Sequence, residues 1–408
     1  MGTTTMPLSH IRVLDFTRAL AGSLPTVWMA ALGAEVIKVE SHFQPDATRR
    51  LRTDDQGNLV PTGDPRRAHF IAMNHSKLGV TVNLRKPDGV QLIRDLVAVS
   101  DVVVESFSRG VMERFGLGLP ELRRIRPDIV VLGVSGFGRT GPMRDDIAYG
   151  AMASGFSGMD SITGYENGVP QAIGGAMDST TGLGAYCALM IALYYRGHTG
   201  QGQFVDLAMT EVQMSMIPEA LMDFSLNGRE RGPRGNGDGG MAPHGCYPCR
   251  GNDSWLVIAV GTDEEWTALC KVMGLSSLAG DPRFSDPYRR WLARDVLDRH
   301  IRNWTRTRER DEAVTILQKA GVPAAPSYNV KDIVSDPHLK EHQAFATIAS
   351  SDQVSVSVLR VPGLVDGAPQ GQYLSAPDLG EHNPFVFGDI LGLPPSDVER
   401  LTRDKVIY

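Results

Sequence analysis

Asp178 stands in Gly174-Gly175-Ala176-Met177-Asp178-Ser179-Thr180-Thr181-Gly182, directly ahead of an apolar run over residues 183–195. A glycine-rich turn lets backbone approach a ligand closely. A carboxylate at the start of a helix is favoured as the anion, because the helix N-terminus attracts negative charge. An ionised aspartate in such a setting suits a nucleophile that forms a covalent intermediate. Aspartate is also a favoured N-cap, so capping is the competing role for Asp178 taken alone.

Three further patterns match chemical motifs by spacing. Gly136-Phe137-Gly138-Arg139-Thr140-Gly141 follows a strand-like run as a dinucleotide fingerprint does. The third glycine should then open a helix packed on that strand, but the polar Pro142-Met143-Arg144-Asp145-Asp146 follows, so a tight loop is expected. Cys246-Tyr247-Pro248-Cys249 has the spacing of a redox or zinc pair. With no second pair and a strand-forming sequence after it, packing is the expected role. His338-Leu339-Lys340-Glu341-His342 has a zinc-enzyme spacing. It lacks an evident third ligand and is strongly polar, so a solvated helix is expected and no metal site.

The elements that must carry these residues are legible from hydrophobic period. Strand-like runs at 11–16, 34–39, 79–84, 101–105 and 128–132 alternate with helical patterns at 25–32, 87–99 and 119–125. β-branched apolar runs alternating with helices point to an α/β protein with a buried, mostly parallel sheet. Residues 148–222 turn helical and rich in Gly and Met, and 227–245 form a polar break rich in Gly, Arg and Pro. A strand at 255–260 and helical patterns at 264–273 and 289–319 follow; 354–364 reads as strand and 395–403 as helix. Residues 229–332 are therefore read as a smaller α+β domain.

Bulk properties narrow the function. An apolar fraction of 42% and a charged fraction of 22% describe a globular chain of enzyme size. The net charge of -6 argues against a nucleic-acid partner. Met1 to Met6 show no basic start followed by an apolar core, and the longest apolar stretch, near 185–195, is short for a bilayer. Four cysteines, Cys187, Cys246, Cys249 and Cys270, fit a reducing compartment. A cytoplasmic enzyme with no membrane partner is expected.

Several separated segments together resemble the class III CoA-transferases, the family that includes formyl-CoA:oxalate transferase, carnitine and bile acid CoA-transferases and the α-methylacyl-CoA racemases. They are Arg12-Val13-Leu14-Asp15-Phe16-Thr17 with Leu32-Gly33-Ala34-Glu35, then Asn74-His75-Ser76-Lys77, and Glu105-Ser106-Phe107 with Gly110 and Arg114-Phe115-Gly116. Ser135-Gly136-Phe137-Gly138 with Tyr149 follows, then Met177-Asp178, and Thr199-Gly200-Gln201-Gly202-Gln203 with Asp206. Gly321-Val322-Pro323 and Leu379-Gly380-Glu381-His382 stand near the end. The resemblance spans nearly the whole chain, and order and spacing make it specific.

The resemblance implies a Rossmann-like large domain built from both chain ends (1–205 and 333–408), a linker at 206–228 and the inserted small domain at 229–332. It also implies an interlocked homodimer, with a heteromer containing a paralogous subunit as the alternative. Asp178 falls on the catalytic aspartate, which forms an acyl anhydride and then an aspartyl-CoA thioester. Gly237, Gly239 and Gly240 match a glycine loop whose N–H groups would stabilise oxyanions; a flexible linker is the competing reading. Lys77 and Arg114 match positions that meet CoA phosphates, Phe107 the adenine end, and Arg18 and Ala19 the pantetheine channel. Tyr149 matches an active-site tyrosine.

Departures from the family pattern carry information too. Asp145 stands where the racemases have a histidine, which favours transfer over racemisation. Leu20 and Gly150 replace a glutamine and a glutamate of the formyl/oxalate enzyme, which implies a roomier, more apolar pocket. Ser41 replaces one of its arginines. Met214, Met216, Met222 and Phe224 are candidates for pocket lining or for helix core. The expected reaction moves CoA from an acyl-CoA donor, succinyl-CoA by family analogy, to a larger carboxylic acid, with no tightly bound cofactor. The alternatives are an acyl-CoA racemase and a non-catalytic CoA-binding subunit.

Overall fold

The computed structural model describes residues 6–53, 59–61, 67–349 and 355–408. The chain divides into two units. The first holds residues 6–160, 172–229 and 341–408 of the described chain, and the second 161–171 and 230–340. Residues 206–228, read from the sequence as a linker, are instead part of the first unit's folded body, and residues 161–171 join the second unit. The segment 1–5, on which the reading of a leaderless start rests, lies outside the described residues.

The first unit is organised on a six-stranded sheet. Its strands are β1 (Arg12–Phe16), β2 (Glu35–Glu40), β3 (Leu78–Thr81), β4 (Val102–Glu105), β5 (Val130–Ser135) and β6 (Phe204–Ala208). All neighbours pair in parallel, in the order β3-β2-β1-β4-β5-β6. This is the doubly wound Rossmann order, whose direction reverses between β1 and β4. Central strands are apolar on both faces, as a sheet covered twice requires: Val102, Val103 and Val104 are all fully buried.

The labelled helices of this unit are α1 (Ser23–Ala31), α2 (Ala68–Asn74), α3 (Pro87–Ala98), α4 (Leu119–Ile125), α5 (Gly150–Phe156), α6 (Gly175–Thr199), α7 (Met209–Met214) and α8 (Pro218–Asn227). One face of the sheet packs against α3 through Leu92, Ile93, Leu96 and Val97, and against the returning chain through Val386, Phe387, Leu401 and Ile407. Both chain ends thus build one core. The other face packs against α1 through Met29 and Ala30, and against α6 through Ala185, Leu189 and Ala192.

The 25-residue α6 ends at Gly200, whose φ of 70° closes the helix in the left-handed conformation that glycine adopts without strain. Among the described residues it is the one helix long and apolar enough to cross a membrane by length and composition. The apolar run visible in the sequence had set it shorter. One stripe of the helix, including Ala185, Leu189 and Ala192, is buried against the sheet.

The second unit carries β7 (His244–Pro248), β8 (Trp255–Ala259) and β9 (Ala324–Ser327), antiparallel in the order β9-β8-β7. The helices Asp263–Met273, Arg294–Thr305 and Arg310–Lys319 contribute Trp266, Leu269, Ile301 and Leu317 to its core. Its first helix starts on a Thr262–Glu265 capping box.

Candidate active site

Open α/β sheets bind ligands beyond the strand carboxyl ends, where neighbouring connections diverge. Here that point lies between β1 and β4. The turn after β1 passes through Ala19 at φ 61°, a strained conformation for an alanine. The Arg18 N–H donates to Ser106 Oγ beyond β4 at 3.2 Å, and its guanidinium donates to the Pro45 carbonyl at 2.9 Å. Phe107 packs on Phe16 of β1 with ring centroids 6.5 Å apart. Its N–H donates to buried Glu105, which also pairs closely with Arg139 from the loop after β5. Burial pushes the Glu105 carboxyl up to about 7 against the pull of Arg139. Arg18, Ala19 and Phe107 therefore do converge, on the two strands that flank the switch point.

Asp178 lies in the first turn of α6. The direction of that helix fixes its location: Arg196, near the other end, pairs with Asp101 and Asp128, which precede β4 and β5. The helix thus runs antiparallel to the strands and presents Asp178 at their carboxyl edge. The residue is not the N-cap; Gly174 holds that position without a side-chain cap bond. The half-buried carboxylate of Asp178 has no hydrogen-bond donor acting on it among the described residues. Burial raises its pKa above the ordinary aspartate value, and the charge of His69 on α2 pulls the other way. A carboxylate that is desolvated, more basic and free of hydrogen bonds keeps its lone pairs available for attack.

Two glycines make room for this placement. A Cβ on Gly150, the first residue of α5, would lie 2.7–2.9 Å from the three carboxylate atoms of Asp178. Gly150 was expected to widen a substrate pocket; the space it vacates is occupied by Asp178 itself. One turn along α6, a Cβ on Gly182 would lie 2.7 Å from Leu24 Cβ and 3.1 Å from the Ala21 carbonyl. That close approach lays the Asp178 helix directly against the turn bearing Arg18, Ala19 and Leu20. Leu20 is half-buried and Tyr149, which precedes Gly150, is largely exposed.

Lys77 departs from expectation. Its side chain is wholly buried. Its Nζ donates to Asp15 Oδ2 and Thr26 Oγ1 at 2.8 Å each, to Asn74 Oδ1 at 3.0 Å and to the Ser23 carbonyl at 3.3 Å. With every proton committed indoors, it has none for a CoA phosphate. Arg114 is exposed on the single-turn helix Val111–Arg114 and available to such a group.

The glycine loop also departs from expectation. It belongs to the second unit, where the Gly237 N–H donates to the Arg234 carbonyl at 3.2 Å and the Gly240 N–H to Asp238 Oδ1 at 2.7 Å. The Gly239 N–H also supports the Asp238 carboxylate. In this conformation those three amides are committed to the loop's own groups.

The remaining motifs resolve simply. No helix opens at Gly141; residues 136–149 are loop, and a Cβ on Gly136 would lie 2.5 Å from that of Ala148. Cys246 and Cys249 are unbridged at the end of β7, and burial raises both thiols. Among the described residues no group of three or more His, Cys, Asp or Glu side chains is arranged to hold a metal. Met216, Met222 and Phe224 are exposed by more than half, so they are not helix core within this chain. Asp145 is exposed and engaged by Arg109 at 3.0 Å and Arg144 at 3.4 Å.

Sequence reasoning passed over two features. His69 reaches the electrostatic neighbourhood of Asp178 from α2, about a hundred residues away in sequence, and no local pattern announces it. The buried ions around Lys77 carry no periodic signal either, since Asp15 and Lys38 interrupt apolar strands as exposed residues would.

The matches to known proteins point one way. The model of CoA-transferase family III matches residues 8–383. The chain is 33% identical to a succinyl-CoA–D-citramalate CoA-transferase of Chloroflexus aurantiacus, covering 98% of each chain. It is 30% identical to a succinate–glutarate CoA-transferase of Agrobacterium fabrum over 94% of this chain and 96% of the other. It is also 30% identical to the beta subunit of the Chloroflexus aurantiacus succinyl-CoA–L-malate CoA-transferase, covering 99% of both. Among solved structures, a CAIB/BAIF family protein from Brucella suis superposes with a TM-score of 0.83 at 30% identity, over 95% of this chain and 100% of that one.

Proposed function

Since the chain belongs to CoA-transferase family III, we propose that it carries CoA from succinyl-CoA to a second carboxylic acid, with Asp178 as the nucleophile. The observation that carries this reading is the Asp178 carboxylate: half-buried, raised in pKa, and unbonded beside Gly150. In the first step a carboxylate oxygen of Asp178 attacks the thioester carbonyl. The C–S bond breaks, CoA leaves as thiolate, and an acyl-aspartyl anhydride remains. The thiolate then attacks the aspartyl carbonyl and expels succinate, leaving an aspartyl-CoA thioester. The acceptor carboxylate attacks that thioester, releasing the thiolate and forming a new anhydride. Finally the thiolate takes the acceptor acyl group and Asp178 is regenerated. Each stage retains an activated acyl bond, so no external energy source is needed.

A dicarboxylic acceptor fits best. The relatives named above act on citramalate, glutarate and malate, and all are succinyl- or succinate-dependent by name. His69, whose charge acts on Asp178, is the group assigned here to meet a distal carboxylate. Arg18, Ala19, Phe107 and Arg114 line the route of CoA at the switch point in this proposal; Lys77 does not. A racemase reading gains no support, because Asp145 is held at the surface by arginines. The enzyme works as a cytoplasmic homodimer, and assembly with a paralogous subunit is the variant that the alpha and beta subunits among its relatives bring to mind.

Incubation with succinyl-CoA and a panel of dicarboxylic, monocarboxylic and aromatic acids, followed by mass spectrometry, tests this directly. A new acyl-CoA should form with a dicarboxylate and be absent for Asp178→Asn, whose rate should fall by roughly 10³-fold or more. Turnover by Asp178→Asn at the parental rate would overturn the assignment.

A further inference from the structure

Adjoining the turn that α6 approaches through Gly182 is a buried cluster of three acids and three bases: Asp15, Glu40 and Asp46 with Lys38, Arg49 and Lys77. Such a cluster is expensive to desolvate unless each member is fully hydrogen-bonded. Here each member has at least two hydrogen-bond partners. Arg49 pairs with Glu40 at 2.5 Å, Lys38 with Asp46 at 3.2 Å, and Lys77 with Asp15 at 2.8 Å. Lys38 also donates to the Thr17 carbonyl at 3.0 Å. Asp15 receives the Thr17 N–H at 2.8 Å and the Thr26 hydroxyl at 2.7 Å.

The bonds made by Lys77 are distributed in a particular way. Asp15 belongs to β1. Ser23 and Thr26 belong to the first turn of α1, and Asn74 is the last residue of α2. One ammonium group therefore ties together the strand, the start of α1 and the helix that carries His69. Those elements adjoin the Asp178 helix and its charge environment: α6 rests on Ala21 and Leu24 through Gly182, and the charge of His69 on α2 acts on the carboxylate. Packing of apolar side chains alone would tolerate small slides of α1 or α2. Directional bonds to a single buried cation do not.

We infer that Lys77, with Asp15 and Thr26, is a positioning device that fixes α1 and α2 against the Asp178 nucleophile, and not a CoA-phosphate ligand. The inference rests on the reading of Asp178 as nucleophile. Misplacement by about 1 Å costs a reacting group up to roughly 10²-fold in rate, so the device should act on the acylation rate and not on CoA affinity.

Removing Lys77 would strand buried Asp15 and risk the fold, so the test uses Thr26 and Asn74. Thr26→Val keeps the shape and leaves Lys77 three acceptors; Thr26→Ser restores the hydroxyl; Asn74→Leu unties α2. Each is measured for folding by circular dichroism, for KM of succinyl-CoA, and for the single-turnover rate of acyl-enzyme formation. Thr26→Val and Asn74→Leu should stay folded with KM within about twofold, and acylate roughly tenfold more slowly. Thr26→Ser should recover most of the rate. If one of the first two fails to fold, the other decides. Parental acylation rates in a folded Thr26→Val or Asn74→Leu would overturn the inference, as would equal losses in the valine and serine variants. In either case a dead Asp178→Asn would leave the proposed function standing, whereas an active Asp178→Asn would remove the function itself.

Discussion

The Asp178 carboxylate owes its reactivity to what surrounds it and to what does not. Several aspartates of this chain bond to arginines, and those contacts lower their pKa, as at Asp128 and Asp281. Asp178 lies half-buried without such a donor and is shifted upward. The sign of the pH dependence follows. As pH falls through this raised value, the carboxylate takes a proton and loses its nucleophilic lone pair. Single-turnover acylation should therefore fall on acidification with a midpoint above 3.8, the ordinary aspartate value. A rate flat down to that value would contradict the burial argument. Gly150 offers a second test. Gly150→Ala places a methyl group within 2.9 Å of the carboxylate, which must then turn away. Acylation should drop by roughly 10²-fold while the protein stays folded. Local sequence marked Asp178 as a nucleophile or a cap, because a glycine turn, an acid and an apolar helical run are contiguous, and the family resemblance decided between the two. The family resemblance set Lys77 at a CoA phosphate; its complete burial could not be read from the sequence, where side-chain charge is visible and burial is not.

At the scale of elements, the site depends on α6 crossing close to α1. Gly182→Ala should push the two helices apart and destabilise the protein by about 1–3 kcal/mol, the usual range for overpacking a filled contact. Thermal or denaturant unfolding would measure this, and acylation should slow in parallel because Asp178 is one turn away. Unchanged stability would mean that the helices reseat without strain. The five strands β1 to β5 and the helices α1, α3 and α4 were legible, since each is a short apolar or amphipathic run bounded by turn residues. The edge strand β6 was not. Phe204-Val205-Asp206-Leu207-Ala208 follows a helical stretch and carries an acid. That acid is explained only by its partner: Asp206 accepts the Arg139 N–H at 2.9 Å and holds the loop after β5. The pairing spans 67 residues, beyond the reach of any local pattern.

At the scale of the molecule, α6 carries apolar residues on more than one face yet buries one stripe. Leu183, Ile191 and Tyr194 are exposed on it, and Met216, Leu221, Met222, Phe224 and Leu226 are exposed just beyond. Exposed apolar patches of this kind mark association surfaces, in keeping with the proposed dimer. Analytical ultracentrifugation should give a mass near twice 44.3 kDa at micromolar concentration. A monomer throughout the accessible range would count against it. How two chains associate leaves no trace in periodicity or composition, because an interface helix reads like a core helix.

The central claim is that Asp178 itself becomes acylated in each cycle, and covalent trapping tests it most directly. The enzyme is mixed with succinyl-CoA, quenched with hydroxylamine or reduced with borohydride, digested, and analysed by mass spectrometry. The peptide containing Asp178 should carry the hydroxamate, or the alcohol left by reduction, and the modification should require the thioester. An unmodified Asp178 peptide from a preparation that is turning over would contradict the account.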